Sequence, residues 1–209
     1  GGMISPGGIV QGADGDLYVD NPIADCILRF SPTGDFLDVY ASGNGLDYPT
    51  GIVFGPDGRL YVASRGTNQI LRFDGATGAF VDVFASGPAL TDVSMLDFGP
   101  DGDLYVVNVF GSKNLVRFDG STGEFLGVVV ESYSGNATVG FDFSPSGELF
   151  VNRNYPDRLL RVNAVTDAIE ESWAYSYEWG SVQGATFGPD GRLYIARHIA
   201  RDVVAFDPA

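Results

Sequence analysis

Six cations of this 209-residue chain stand where its internal pattern does not ask for charge: Arg65, Lys113, Arg153, Arg158, Arg197 and Arg201. The single histidine, His198, lies among them. A guanidinium is a planar fork of donors that stays charged and can grip a carboxylate or phosphate through two parallel hydrogen bonds. Asn108 and Asn152 fall nearby and offer both donors and acceptors. The irregular stretch Tyr175-Ser176-Tyr177-Glu178-Trp179-Gly180 supplies aromatic faces of the kind that line small-ligand sites. The candidate ligand-contacting residues are therefore Arg65, Asn108, Asn152, Arg153, Tyr177, Trp179, Arg197 and His198. The opposing expectation is structural. The arginines would pair with local acids such as Asp25, Asp47, Asp92, Asp157, Glu178 and Asp202, and Tyr177 and Trp179 would cap the core under a loop.

This chemistry suits recognition better than turnover. No catalytic residue is assigned, and no cofactor or metal is expected. The sequence has no glycine-rich phosphate loop, no cysteine cluster and no His–Glu metal spacing. Cys26 is the only cysteine, which excludes an intrachain disulfide, and it reads as a partly exposed, inert thiol. Asp97 and Asp142 are the exceptions worth following. Each sits inside an apolar strand, where a carboxylate needs partners or a shifted pKa. Hydrogen bonds to backbone or water are the expected resolution, and a catalytic role is the alternative.

Charge narrows the partner. The chain carries a formal net charge of −15 and a sequence pI near 4.1. It should repel nucleic acid and anionic membranes, because attraction to phosphate supplies most non-specific binding. No apolar run approaches the length of a membrane-spanning helix. The expected partner is a small anionic ligand, or a peptide or protein.

A recurring stretch must position these side chains. Phe54-Gly55-Pro56-Asp57-Gly58-Arg59-Leu60-Tyr61-Val62 returns as Phe98-Gly99-Pro100-Asp101-Gly102-Asp103-Leu104-Tyr105-Val106 and as Phe187-Gly188-Pro189-Asp190-Gly191-Arg192-Leu193-Tyr194-Ile195. Two altered copies run through residues 11–19 and 143–151. The copies lie about 44 residues apart, the spacing of propeller blades. Each unit reads as four short strands, A to D, from its β-branched and aromatic residues and its Pro-Asp-Gly and Asp-Gly-x-Thr-Gly turns. Four such strands cannot bury both faces alone, but radial stacking can. The expectation is an all-β, five-bladed β-propeller forming one domain. Its blades would run near residues 8–50, 51–94, 95–139, 140–183 and 184–209.

The pattern Gly-Ile-Val-Phe-Gly-Pro-Asp-Gly-x-Leu-Tyr-Val-Ala followed by Ile-Leu-Arg-Phe-Asp resembles the NHL-repeat β-propellers, over residues 8 to 207. It is especially similar to their bacterial secreted variants, and so implies an extracellular or periplasmic location. Relatives of that broad family range from interaction scaffolds to lactonases and lyases. The divalent-ion positions of the propeller lactonases match Gly7, Thr50, Ser94, Val139 and Gln183, none a carboxylate or asparagine. The propeller lyases use several histidines, and this chain has one. The regular repeat, without a recognisable catalytic set, therefore points to a non-enzymatic interaction or small-ligand scaffold working through the face that carries the B–C and D–A connections. The alternative is a lactonase-like hydrolase or lyase using carboxylates.

Two further expectations concern packing. Arg29, Arg72, Arg117 and Arg161 repeat in strand C, and Arg59 and Arg192 follow the Pro-Asp-Gly turn, so all six should be structural. The fifth unit ends after strand C, which leaves an edge that an N-terminal segment or a second molecule could pair with.

Overall fold

The computed structural model describes residues 6–131, 137–154, 158–174, 182–197 and 201–207. They form five antiparallel sheets, each a meander in chain order. The first contains β1 (Ile9–Gln11), β2 (Leu17–Asn21), β3 (Cys26–Phe30) and β4 (Phe36–Ser42). The second contains β5 (Pro49–Phe54), β6 (Leu60–Ser64), β7 (Gln69–Phe73) and β8 (Phe80–Ala85). The third contains β9 (Val93–Phe98), β10 (Leu104–Asn108), β11 (Leu115–Phe118) and β12 (Phe125–Val130). The fourth contains β13 (Ala137–Phe143), β14 (Leu149–Asn154), β15 (Arg158–Val162) and β16 (Ile169–Ala174). The last has three strands, β17 (Val182–Phe187), β18 (Leu193–Arg197) and β19 (Asp202–Phe206). The arrangement is a five-bladed β-propeller with a three-stranded final blade.

The repeated turn shows why the motif recurs. Gly58 takes φ 75°, a left-handed conformation that glycine adopts without steric cost, and its N–H closes the turn on the Gly55 carbonyl at 2.9 Å. Asp57 then accepts the Arg59 N–H at 3.0 Å and the Tyr61 hydroxyl at 3.1 Å. The Tyr61 ring meets Phe84 and Phe98 edge-on, with centroids 4.9 and 5.0 Å away. One motif thus sets the turn and anchors an aromatic ring between two blades. The Asp101–Tyr105 pair repeats the hydroxyl contact at 2.8 Å.

The core lies between blades. Blades 1 and 2 share a cluster that joins Tyr18 and Ile27 to Leu60, Val62 and Phe73. Corresponding clusters join blades 2 and 3, 3 and 4, and 4 and 5. Among the described residues, no such cluster joins blade 5 to blade 1.

Two of the repeated strand-C arginines are tied within their own blades, whereas Arg117 also donates to the Ala164 carbonyl of the next blade at 2.6 Å. Arg29 forks onto Asp38 at 3.2 and 2.5 Å, and Arg72 onto Asp82 at 3.0 and 2.7 Å. Cys26 departs from expectation: it is buried, and Asn21 Nδ2 lies 3.9 Å from its sulfur. Burial also pushes its thiol pKa up, so it is a weaker nucleophile than a free cysteine.

Candidate functional site at the blade 2 and blade 3 junction

Arg65 is the candidate that the fold places in a chemically distinct setting. It directly follows β6, so the rigid inner part of blade 2 delivers it to the loop face. Its Nε and Nη2 both donate to Asp92 Oδ1 at 3.2 Å. Its guanidinium carbon lies 5.5 Å from the centre of the Tyr48 ring and 4.8 Å from that of Phe110. A cation over aromatic faces gains attraction from the ring quadrupole. Three successive connections therefore converge on one side chain: residues 43–48 before β5, residues 86–92 before β9, and residues 109–114 after β10.

Backbone geometry holds these loops. Tyr48 and Asp92 adopt φ 50° and 52°, left-handed values uncommon for residues other than glycine. Each is latched to the preceding blade. Tyr48 N–H donates to Asp25 Oδ1 at 2.8 Å, and Asp92 N–H to Asn68 Oδ1 at 2.6 Å. The Arg65 and Gly66 N–H groups donate to the Tyr48 and Asp47 carbonyls at 3.2 and 2.9 Å. Gly66 permits this approach, since a Cβ there would lie 2.3 Å from Asp47 Cγ. Asp47, Tyr48, Arg65, Gly66, Asn68 and Asp92 line a depression of about 570 Å³. The Tyr48 and Phe110 rings remain substantially exposed beside it.

The other candidates do not gather here. Asn108 is fully buried, and its amide is spent inside the fold: it accepts Thr91 N–H at 2.9 Å and donates to Ala89 O and Asn114 Oδ1 at 2.9 and 2.8 Å. Asn152 and Arg153 are buried in blade 4. Arg197 forks onto Asp202, its ladder neighbour, with Nε 2.6 Å from Oδ1. Pairing with local acids thus describes both Arg65–Asp92 and Arg197–Asp202. Tyr177, Trp179 and His198 lie outside the described residues. Phe110 and Asn68 were not singled out from sequence, and Asp47 figured there only among the acids that could pair with an arginine. Phe110 had a faint signal, as a large apolar residue in a connection that should be polar.

Three carboxylates lie deeper. Asp20 is buried and accepts the N–H groups of Gly7 and Gly8 at 2.6 and 2.8 Å, so it pins the start of the first blade. Burial raises its pKa, and those two donors oppose the rise. Asp142 in β13 accepts from Phe143 N–H at 2.7 Å and, across the blade junction, from Thr186 Oγ1 at 2.9 Å and Phe187 N–H at 2.7 Å. Asp97 in β9 is bonded by the Phe98 N–H at 2.8 Å. Burial, with a smaller push from the Asp142 charge, lifts the Asp97 pKa to about 6. Among the described residues, no group of three or more His, Cys, Asp or Glu could hold a metal ion.

Fold and site together define a β-propeller with a cation–aromatic depression between two blades on its loop face. No protein-family model matches the chain, and no curated protein does. Solved structures do. A streptogramin B lyase superposes with TM-score 0.75 at 22% identity, covering 95% of this chain and 63% of that one. Virginiamycin B lyase from Staphylococcus aureus gives 0.75 at 16%, covering 98% and 70%. A putative gluconolactonase gives 0.73 at 16%, covering 99% and 76%. The chain is thus distantly similar to bacterial propellers, and it spans less than two thirds of the streptogramin B lyase.

Proposed function

We propose that the propeller is a binding module whose ligand seats in the depression at Arg65. The observation that supports this is Arg65, which lines a depression of about 570 Å³ and holds its guanidinium carbon 5.5 and 4.8 Å from the centres of two exposed rings. Repeat positions serve the fold, and this cluster departs from the repeat. The lining also refines the ligand class. Asp92 already occupies the Arg65 fork, so an anion must displace a carboxylate to reach it. Asp47 adds a second negative group. The site suits a small molecule or peptide side chain that combines a flat apolar group with hydrogen-bond donors.

Phenethylamine and phenylpropionate, titrated by NMR, test this directly. The amine is expected to shift resonances of the Arg65 loop, and the carboxylate to bind more weakly. Phe110→Ala should weaken the amine by roughly tenfold, as for loss of ~1.4 kcal/mol. Equal binding of both probes to parent and variant, or shifts confined to the Pro-Asp-Gly face, would overturn the assignment.

A hydrolase or lyase reading has separate support. Two of the similar structures are lyases and one is a putative gluconolactonase. Asp97, with its raised pKa, is the residue suited to proton transfer near neutral pH. Turnover in a lactone and ester screen, abolished by Asp97→Asn with folding intact, would favour this reading over simple binding.

A further inference from the structure

The cluster around Arg65 has the chemistry of a cation site, and Arg65 itself fills it. The Tyr48 and Phe110 rings lie 5.5 and 4.8 Å from its guanidinium carbon. Three carboxylates belong to the same group of loops. Asp92 accepts from the guanidinium, Asp47 lines the depression, and Asp25 accepts the Tyr48 N–H at 2.8 Å. Among the described residues, Asp25 and Asp47 form no ion pair. One cation among three anions leaves the cluster net negative, in a chain that carries −15 overall. Such a field draws cations in and holds anions off.

The hold on Arg65 is weaker than that on the repeat arginines. Arg29 and Arg72 each reach both oxygens of one aspartate, with the shorter contact at 2.5 and 2.7 Å. Arg65 puts two nitrogens on a single oxygen, each at 3.2 Å. Asp92 Oδ2 accepts no hydrogen bond from any described residue. The parallel two-bond fork is the strong form of this pair, and a partly exposed single-oxygen pair contributes little. The frame, by contrast, does not need the Arg65 side chain. The main-chain N–H groups of Arg65 and Gly66 hold the Tyr48 and Asp47 carbonyls, and the Asp25 and Asn68 side chains hold the Tyr48 and Asp92 N–H groups. Withdrawing the guanidinium would leave rings and carboxylates around an open seat, beside a depression of about 570 Å³.

We infer that Arg65 is an internal stand-in, and that the ligand of this depression carries a guanidinium which takes its place over Tyr48 and Phe110 and against Asp92. This rests on the reading of the depression as a ligand seat and names the ligand class. A guanidinium suits the seat because it is flat: its face lies on a ring while its edge presents a fork of N–H donors to a carboxylate. With Arg65 displaced, Asp92 offers both oxygens to that fork. Asp47, in the wall of the same depression, is the carboxylate available to the displaced Arg65. Arg65 therefore competes with the ligand and sets its affinity.

N-acetylarginine amide, its neutral isostere N-acetylcitrulline amide and methylguanidinium, titrated by calorimetry and NMR, test this. Arg65→Ala is expected to bind N-acetylarginine amide at least tenfold more tightly than the parent does. Tenfold corresponds to a seat that Arg65 leaves open about a tenth of the time. The citrulline form should bind the variant at least tenfold more weakly than the arginine form. Adding Asp92→Asn to Arg65→Ala should remove the gain. Equal gains for methylguanidinium and the amide would point to a free guanidinium as ligand, and a larger gain for the amide to an arginine carried on a peptide. Arg65→Ala should keep the parent's amide dispersion, since the latches use main-chain groups. Arg65→Met, which keeps the length of the stem without the charge, is a second variant expected to gain affinity. Weaker binding of N-acetylarginine amide by both Arg65 variants than by the parent overturns the inference and makes Arg65 a ligand contact. Phenethylamine binding to the parent would then still support the seat itself. Equal affinity for the arginine and citrulline forms also overturns the inference. Failure of every probe, phenethylamine included, overturns the seat and the inference together.

Discussion

Replacing Leu104 by alanine is expected to cost about 2–5 kcal/mol of stability, the range for emptying a fully packed leucine site. Leu104 opens β10 and has no solvent exposure. It belongs to the cluster between blades 2 and 3, with Tyr61, Ile70, Phe84 and Leu96. The loss comprises the transfer energy of the removed methyl groups and the unfilled volume they leave. That volume should not collapse easily, because its walls are strands fixed in two separate sheets. Denaturant unfolding should show a lower midpoint with a similar slope. A change within about 0.5 kcal/mol, the scale of an ordinary surface substitution, would mean that strand B does not present this residue to the junction. Leu60 and Leu193 hold the same position and are equally buried, so their alanine variants should follow the same trend.

That position was legible because the repeat averages over accidents. A single apolar run in one blade is ambiguous, but Leu-Tyr-Val after Pro-Asp-Gly in several copies fixes both strand and face. The third strand of the second blade, Gln69–Phe73, carries the Ile-Leu-Arg-Phe pattern that the sequence repeats. The inner strands begin at Pro49 and Val93, slightly ahead of the expected blade boundaries at residues 51 and 95, because pairing continues through a register shift.

The site was legible only in part. Arg65 was visible as a charge off the repeat, but its partner Asp92 comes from the connection that leads into the next blade, 27 residues away. No local pattern distinguishes Asp92 from Asp47 or Asp25 as that partner. Asn108 was misleading for a related reason. It ends a strand, where alternation allows either direction, and the loop carrying Ala89 and Thr91 folds back to cover it. Tyr48 gave no hint of its left-handed backbone, which is imposed by latches to Asp25 and Arg65. Blade junctions are assembled from segments distant in sequence, so their side-chain pairings appear only in three dimensions.

Substituting Asp97 by asparagine is expected to stabilise the protein at neutral pH, and by an amount that depends on pH. In the folded state the Asp97 pKa stands at about 6, against an ordinary aspartate value of 3.8. The folded state therefore holds this proton more tightly than the unfolded state does. The stability linked to Asp97 is fully present below pH 3.8 and is lost as pH rises through about 6. Above that pH the folded chain carries a charge that burial disfavours, at a cost of roughly 2–3 kcal/mol by the usual conversion of a two-unit shift. Asparagine keeps an acceptor for the Phe98 N–H and carries no charge. The gain of the variant over the parent should be largest above pH 7 and shrink steadily toward pH 4. The comparison must be made as this difference. Asp57, Asp119 and Asp202 have lowered pKa values, Asp119 to about 2, and they destabilise parent and variant alike as acid protonates them. Urea unfolding of both proteins from pH 8 to pH 4.5 supplies the measurement. A gain that does not change with pH would assign the effect to packing. No gain at any pH would mean that water solvates the Asp97 carboxylate, which removes the physical basis for giving it a proton-transfer role near neutrality.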